Sequence, residues 1–183
     1  MKSKTRSAAF DAPRKAEGPK SRSFSRANGS PHCPSEAGTM ASNEESIEIG
    51  GVSYARETSV SAAEFIDLLM RSGLGRHRPI QDRSRIERML ANSNFIVSAR
   101  LAGSLIGVVR GVTDAAWCCY LSDVAVDAAF QGRGIGRHLM EQARREAGAE
   151  SMCLLLAYPD AANFYQSIGM QRFADAFLLD RAL

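Results

Sequence analysis

Apolar and polar positions follow regular periods from about residue 46 onward, and these periods change between the spacing of strands and that of helices. Helices are predicted over 61–72, over 82–91, from the glycine-rich stretch to Gly148, and from Pro159 to about Ser167. Strands are predicted over 47–56 with a turn or bulge at Gly50-Gly51, over 95–101, 104–112, 117–126 and 152–157, and as one or two strands over 171–179.

The order of these elements predicts a mixed sheet. Short turns such as Ala102-Gly103 join the early strands, and short turns are typical of antiparallel hairpins. The strand over 117–126 leads instead through a turn and a helix into the strand over 152–157, and such a crossover requires parallel pairing. The sequence therefore predicts one α/β (α+β) domain over 46–183, with a mixed central sheet flanked by helices.

The glycine-rich stretch is the most informative local feature. Three glycines alternate over 132–136, between a buried strand and an amphipathic helix. Such a turn aims several free N–H groups at one point, where phosphate binds. Arg137 or Leu139 stands where a dinucleotide fingerprint needs its third glycine, and the Gly-Lys-Ser/Thr of a P-loop is absent. The stretch therefore predicts another kind of phosphate site; the alternative is a glycine-rich turn without a ligand.

The pattern Gln131-x-x-Gly134-x-Gly136 resembles the acyl-CoA-binding motif of the GCN5-related N-acetyltransferases, the GNAT family. The resemblance implies a fold whose strand before the turn splays from the next strand, so that the pantetheine arm of CoA fills the gap. It implies acetyl-CoA as cosubstrate and no metal. The cofactor-binding residues that it implies are Val124, Ala125, Val126, Gln131, Gly132, Arg133, Gly134, Ile135, Gly136, Arg137 and Asn163.

A second segment, 158–170, is similar to the family's Asn-x-x-x-Phe-Tyr-x-x-x-Gly-Phe pattern, with Met170 in place of the final Phe. The resemblance places Tyr165 beside the CoA sulfur, where its hydroxyl would protonate the departing thiolate. An amine that attacks a thioester forms a tetrahedral intermediate, and its collapse expels a thiolate that such a hydroxyl stabilises. The alternative reading of Tyr165 is a core aromatic residue on a helix, and that of Asn163 is an exposed helical residue.

Asp123 is an acidic residue inside an otherwise apolar strand, where a charge is costly unless it is used or paired. The amine must lose a proton before it attacks, so Asp123 is a candidate base, acting directly or through water. Tyr120, Glu87 and ordered water are rival routes for that proton. The alternative reading of Asp123 is structural, hydrogen-bonded to neighbouring backbone or placed at a bulge.

The acceptor stays open at this stage. Arg76, His77 and Arg78 would meet an anionic acceptor, or they form a solvated basic loop. The resemblance implies direct transfer in a ternary complex to a small-molecule or protein amine, and dimers are frequent among relatives. The alternatives are a non-catalytic acyl-CoA sensor or partner-binding module on the same fold, and a nucleic-acid-associated protein acting through its N-terminal residues.

Charge is distributed unevenly along the 183 residues. The net charge is +3, but residues 1–40 alone carry a net +5 and the remainder −2. The globular part therefore has no net attraction to nucleic acid, and no segment is apolar enough for a membrane helix. Residues 1–45 predict a disordered basic tail, and Met40 is a candidate natural start. The expected location is cytoplasmic, with organellar targeting by the tail as the alternative.

The four cysteines lack the spacing of a zinc site, and we expect them to be reduced thiols. Cys118 and Cys119 are adjacent on a predicted strand and should therefore point to opposite faces of the sheet. No neighbouring base is apparent that would activate them for covalent catalysis.

Overall fold

The computed structural model describes residues 46–174 and 176–181, and the predicted tail over 1–45 lies outside them. The helices are α1 (Ala62–Arg71), α2 (Arg83–Ala91), α3 (Ile135–Ala147) and α4 (Ala162–Ser167). The strands are β1 (Ile47–Ile49), β2 (Val52–Arg56), β3 (Phe95–Leu101), β4 (Ser104–Thr113), β5 (Cys118–Val126) and β6 (Met152–Leu154). Short 3₁₀ turns span Leu74–His77, Ala128–Phe130 and Pro159–Ala161.

The six strands form one mixed sheet in the order β1-β2-β3-β4-β5-β6. The first five strands pair antiparallel with their neighbours, whereas β6 pairs parallel with β5. This arrangement confirms the predicted α/β class and the crossover from β5 to β6. The predicted first strand is in fact a hairpin, because Gly50 and Gly51 both adopt positive φ and reverse the chain.

Side-chain alternation along the strands divides the core between the two faces of the sheet. Val97 and Val109 pack with Leu139 of α3 on one face. Ile96 and Val108 pack with Phe65 of α1 on the other. Ser61 and Asp82 cap the first two helices, since the side chain of each accepts a hydrogen bond from a backbone N–H of the first turn.

The splay between β5 and β6 is present. Only Cys118, Cys119 and Tyr120 pair with β6, and beyond them no described strand lies along this edge of β5. On its other edge β5 carries a bulge, because Leu121 faces Gly111 and Asp123 faces Arg110, which leaves Ser122 as the extra residue. A Cβ on Gly111 would overlap the carbonyl oxygen of Tyr120, so the bulge requires glycine there.

The prediction for the C-terminal segment was wrong. None of its described residues from 171 onward belongs to a strand, and β6 ends at Leu154 rather than near 157. The segment has the apolar pattern of a strand, but a strand also needs a partner, and none of the described strands pairs with it. Phe177 and Leu179 are each 98% exposed as a result.

Among the described residues, no helix has the length and apolar character to span a membrane.

Candidate active site

A cleft of about 640 Å³ opens along the free edge of β5. Residues 124–126 form its floor, and residues 131–137 close one end with the glycine turn, here named the turn end. One wall comes from residues between 72 and 77, after α1, and the other from residues 158–168, in and before α4. The splay therefore provides a groove that runs from backbone N–H groups to a wall of aromatic and charged side chains.

The floor of the cleft presents backbone groups that none of the described strands pairs with. The N–H of Asp127 donates to the carbonyl of Ile106 on β4 at 2.9 Å. Because successive residues of a strand point to opposite edges, the N–H and C=O groups of Val126 and Val124 face the cleft instead. Ala125 points its side chain into the core and is 3% exposed. The floor therefore offers backbone donors and acceptors along an open strand edge, and the binding of CoA by Val124, Ala125 and Val126 stays a prediction.

Two glycines at the turn end adopt left-handed backbone conformations, Gly132 with φ +76° and Gly134 with φ +83°. Gly134 is the N-cap of α3 and gives it no side-chain cap, and no acidic residue lies in the first turn. Within the part of the chain that the structure describes, the N–H groups of residues 132–137 donate to no protein acceptor. The positive end of the α3 dipole and these N–H groups give the turn end the chemistry that favours an anion.

The other residues of the turn have different roles. The Gln131 amide nitrogen donates to the carbonyl of Val126 at 2.9 Å, so this side chain braces the turn against β5. A Cβ on Gly136 would come within 3.1 Å of the Phe164 ring, so the absence of a side chain at this position lets α3 and α4 approach closely. The side chain of Ile135 is buried in the core at 5% exposure.

The two arginines of the turn point in different directions. Arg137 lines the cleft and donates to the carbonyl of Ser167 at 3.1 Å, at the end of α4. Arg133 lies with its guanidinium 5.3 Å from the centre of the Phe130 ring and is not among the residues that line the cleft. The structure therefore brings Arg137, but not Arg133, to the cleft.

Tyr165 lies in the wall formed by α4 and borders the cleft. Burial raises the pKa of its hydroxyl, while the positive charge of Arg78 acts in the opposite direction. Within the described residues the hydroxyl has no hydrogen-bond partner, so it can serve a ligand. Asn163, on the same helix, is exposed and does not line the cleft.

Asp123 lies in a buried ion cluster. Its side chain is fully buried; one oxygen accepts from the Nε of Arg78, and the other accepts from the Nε of Arg110 at 2.5 Å. Arg110 also donates to the hydroxyls of Ser93 at 2.7 Å and Ser122 at 3.0 Å. If either carboxylate oxygen of Asp123 took up a proton, the ion pair with the guanidinium that binds this oxygen would be lost. The geometry therefore favours an anchoring role for Asp123 over a role as base.

Side chains bridge the two walls at the end of the cleft opposite the turn. Arg76 pairs with Asp160 at 2.7 Å, and the ring of His77 stacks on that of Tyr158 at 3.8 Å. Arg78 donates to the carbonyl of Ser122 at 2.8 Å and approaches the Tyr158 hydroxyl at 3.5 Å. Residues 76–78 and 158–160, with the ion cluster of Asp123 that Arg78 joins to them, are together named the bridged end.

Sequence reasoning missed the partners of Asp123. Arg78 is 45 positions away along the chain, and no local spacing indicates the contact. Arg110 carried a usable signal, because it is a lone charge in the apolar strand β4 that the hairpin brings opposite β5. A buried charge on each of two paired strands predicts an ion pair between them.

Cys118 is exposed and Cys119 is buried, as the alternation along β5 predicts. Burial raises the pKa of Cys119 to about 11, which keeps this thiol protonated and unreactive at neutral pH. Among the described residues, no three His, Cys, Asp or Glu side chains are grouped so that they could hold a metal ion.

The comparisons with known proteins agree with this geometry. The model of the Acetyltransferase (GNAT) family matches residues 62–170, and the chain belongs to that family. The chain is similar to the uncharacterized N-acetyltransferase ycf52 of Gracilaria tenuistipitata var. liui, with 34% identity over 36% of this chain. It is also similar to the uncharacterized N-acetyltransferase ycf52 of Pyropia yezoensis, with 30% identity over 54% of this chain. It spans 37% and 58%, respectively, of the length of these curated relatives.

The solved structures show the same fold. A putative acetyltransferase from Deinococcus radiodurans superposes with a TM-score of 0.59 and 25% identity, over 72% of this chain and 90% of that one. The aminoglycoside N-acetyltransferase AAC(6')-Iy was solved in complex with CoA. It superposes with a TM-score of 0.55 and 15% identity, over 72% of this chain and 95% of that one. The mixed sheet, the splay and the flanking helices are thus those of GNAT acetyltransferases.

Proposed function

We propose that this protein is an acetyl-CoA-dependent N-acetyltransferase that moves the acetyl group directly to an amine in a ternary complex. One observation carries the proposal: the unpaired edge of β5 leads directly into the free N–H groups of the turn end. That continuity suits a ligand with an extended amide-containing arm and a diphosphate. Membership of the GNAT family and the CoA complex of a structural neighbour support the same ligand.

The turn end would hold the pyrophosphate of CoA through the N–H groups of residues 132–137, with Arg137 as an added positive charge. The pantetheine amides would pair with the backbone of Val124 and Val126. The carbonyl of Val126 already accepts from Gln131, so its remaining lone pair is the one offered to the ligand. The thioester would then lie farther along β5, with the N–H of Val124 near the developing oxyanion.

Tyr165 would act as the acid that protonates the departing thiolate. A raised pKa keeps its proton in place throughout the neutral range, which a donor needs. Its contribution as acid is therefore fully present at neutral pH and is lost as the pH rises through that raised pKa.

The acceptor amine would enter at the bridged end, opposite the cofactor phosphates. The ion pairs of Asp123 favour water as the route by which the amine loses its proton. Amines of small molecules and of proteins both fit this chemistry, and a homodimer stays a prediction.

A free-thiol release assay with acetyl-CoA and a panel of amines tests the proposal. We expect thiol release with at least one class of amine and a product that carries one added acetyl group, detected by mass spectrometry. Calorimetric binding of CoA without thiol release from any acceptor would favour an acyl-CoA sensor. Absence of CoA binding would contradict the assignment of the cleft.

A further inference from the structure

The ion cluster around Asp123 carries more positive than negative charge. Its charged members are Arg78, Arg110 and Asp123, so one carboxylate faces two guanidinium groups. Arg110 is the deeper of the two, since its side chain is 8% exposed against 16% for Arg78, and it is held by Ser93 and the Phe65 ring. The more exposed guanidinium is thus that of Arg78, which contacts the cleft-lining residues His77 and Tyr158.

Arg78 connects the cluster to the opposite wall of the cleft. Its Nε binds Asp123, its Nη2 binds the carbonyl of Ser122, and its Nη1 approaches the Tyr158 hydroxyl. The pKa of Arg78 is raised: burial lowers it, but the charge of Asp123 and the hydrogen bonds to Asp123 and Tyr158 together outweigh burial. The guanidinium thus stays charged and is fixed between the bulge of β5 and the wall that carries Tyr165.

We propose that Arg78 is a positioning residue for acetyl transfer, anchored by Asp123 so that its charge stabilises negative charge on Tyr165 and on the departing sulfur. This inference rests on the proposed function and adds to it a residue that acts through Tyr165. It also gives Asp123 a role that its two ion pairs support.

The transfer step balances as follows. The amine nitrogen forms a bond to the acetyl carbon, the carbon–sulfur bond breaks, and its electron pair goes to sulfur. The Tyr165 O–H gives its proton to sulfur, which leaves a phenolate that the Arg78 charge stabilises electrostatically. The proton that the nitrogen releases returns through water to the phenolate. Negative charge thus resides briefly on sulfur and then on the Tyr165 oxygen, and a fixed cation lowers the energy of both states.

Other charged or titratable groups line the two hollows that Tyr165 borders, and their effect on its titration must be distinguished from that of Arg78. Along the cleft these are Arg76, His77, Arg137, Tyr158 and Asp160. Behind α4, where Tyr165 borders a second hollow, they are Cys153 and Arg172. Arg76 is the matched control, because it is an arginine two positions from Arg78. Its charge already pairs with Asp160, and the two side chains are 65% and 63% exposed, respectively.

The test follows the ionisation of Tyr165 directly. The chain has four tyrosines, so protein labelled with 3-fluorotyrosine gives four ¹⁹F NMR signals, and Tyr165→Phe assigns the signal of interest. We expect Arg78→Met to move the Tyr165 titration to higher pH, Arg78→Lys to restore most of the shift, and Arg76→Met to leave the titration unchanged. Arg78→Met retains a one-to-one Arg110–Asp123 pair, and Arg78→Gln repeats the test with a polar side chain.

The kinetic part of the test uses the same variants. We expect kcat at neutral pH to fall about 10-fold in Arg78→Met, the equivalent of about 1.4 kcal/mol in the activation free energy. The alkaline limb of the kcat profile should move upward with the ¹⁹F titration. A folded Arg78→Met protein with an unchanged Tyr165 titration, or a shifted titration with unchanged kcat, would overturn the proposal. The NMR titration needs no turnover, so a wild-type protein inactive with every amine would refute the enzyme assignment separately.

Discussion

The two ends of the cleft are built from different parts of the polypeptide. The turn end uses backbone: left-handed glycines, the unsatisfied N–H groups of α3 and the free edge of β5. The bridged end uses side chains: an aromatic stack, an exposed ion pair and the buried cluster around Asp123. Backbone groups can bind the same ligand whatever most of the side chains are, whereas a site built from side chains changes its ligand preference when those residues are substituted. The difference suggests that the turn end serves the common cosubstrate and that the bridged end selects the acceptor.

The largest expected effect concerns the stability of the bridged end. Asp123→Asn leaves two buried guanidinium groups without their counter-charge, and breaking a buried ion pair costs about 3–5 kcal/mol. We expect the free energy of unfolding in urea to fall by about that amount. The control Asp160→Asn breaks only the exposed pair with Arg76 and should cost at most about 1 kcal/mol. Equal losses, or an inactive Asp123→Asn protein of unchanged stability, would favour Asp123 as base over Asp123 as anchor.

The turn end should instead lose affinity. Gly134 and Gly148 both have φ +83° and lie at opposite ends of α3, with ψ −6° and +153°, so Gly148→Val is a control for backbone strain at the far end of the helix. Gly134→Val should lose about 1–2 kcal/mol of stability and Gly148→Val at least as much, because a side chain disfavours the left-handed conformation and the conformation of Gly148 is almost confined to glycine. We expect only Gly134→Val to lose CoA binding in calorimetry, by at least about 100-fold, since each hydrogen bond to a charged group contributes about 1.5–3 kcal/mol and two or more are lost. Equal affinities in the two variants would contradict the pyrophosphate site.

The contrast between the ends also explains what the sequence could predict. The turn end is local: a strand, alternating glycines and a helix lie within about twenty residues, and their conformations follow from the residues themselves. The caps of α1 and α2 and the alternation of Cys118 and Cys119 were predictable for the same reason. The bridged end depends on contacts between positions that are 45 to 84 residues apart, such as Arg78 with Asp123 and Arg76 with Asp160. Such contacts exist only once the sheet has formed.

The C-terminal segment shows a second limit of sequence reasoning. Its apolar residues have strand spacing, and the same pattern correctly predicted β3 and β4. A strand, however, is defined by its partner, and spacing alone carries no information about which edge is available. Asp123 shows the reverse case, because a buried charge predicts a partner without saying where along the chain it lies.

Tyr165 belongs to the α4 wall of the cleft rather than to either end, and its substitution should affect turnover more than binding. We expect Tyr165→Phe to lower kcat by about 10–100-fold through the loss of one acid, with little change in the affinity for acetyl-CoA. Tyr158→Phe removes a hydroxyl from the same wall but keeps the stack on His77, so it should lower kcat much less. Because the pKa of Tyr165 is raised, wild-type kcat should decline only at alkaline pH, and this decline should disappear in Tyr165→Phe. Equal kcat values for the wild type and Tyr165→Phe would remove this residue from the mechanism.

The smallest expected effect separates the two arginines of the turn end. Arg137 lines the cleft, so Arg137→Ala should weaken CoA binding about 5-fold, the equivalent of roughly 1 kcal/mol for an exposed charge pair. Arg133 stacks on Phe130 outside the cleft, so Arg133→Ala should change the affinity less than about 2-fold. The Debye length shortens from about 8 Å at 0.15 M to 3 Å at 1 M ionic strength, so the effect of Arg137→Ala should shrink with added salt. Equal losses of CoA affinity in both variants, unaffected by salt, would mean that the two arginines stabilise the conformation of the turn and do not attract the phosphates by their charge. The backbone N–H groups would then supply the whole of the phosphate recognition.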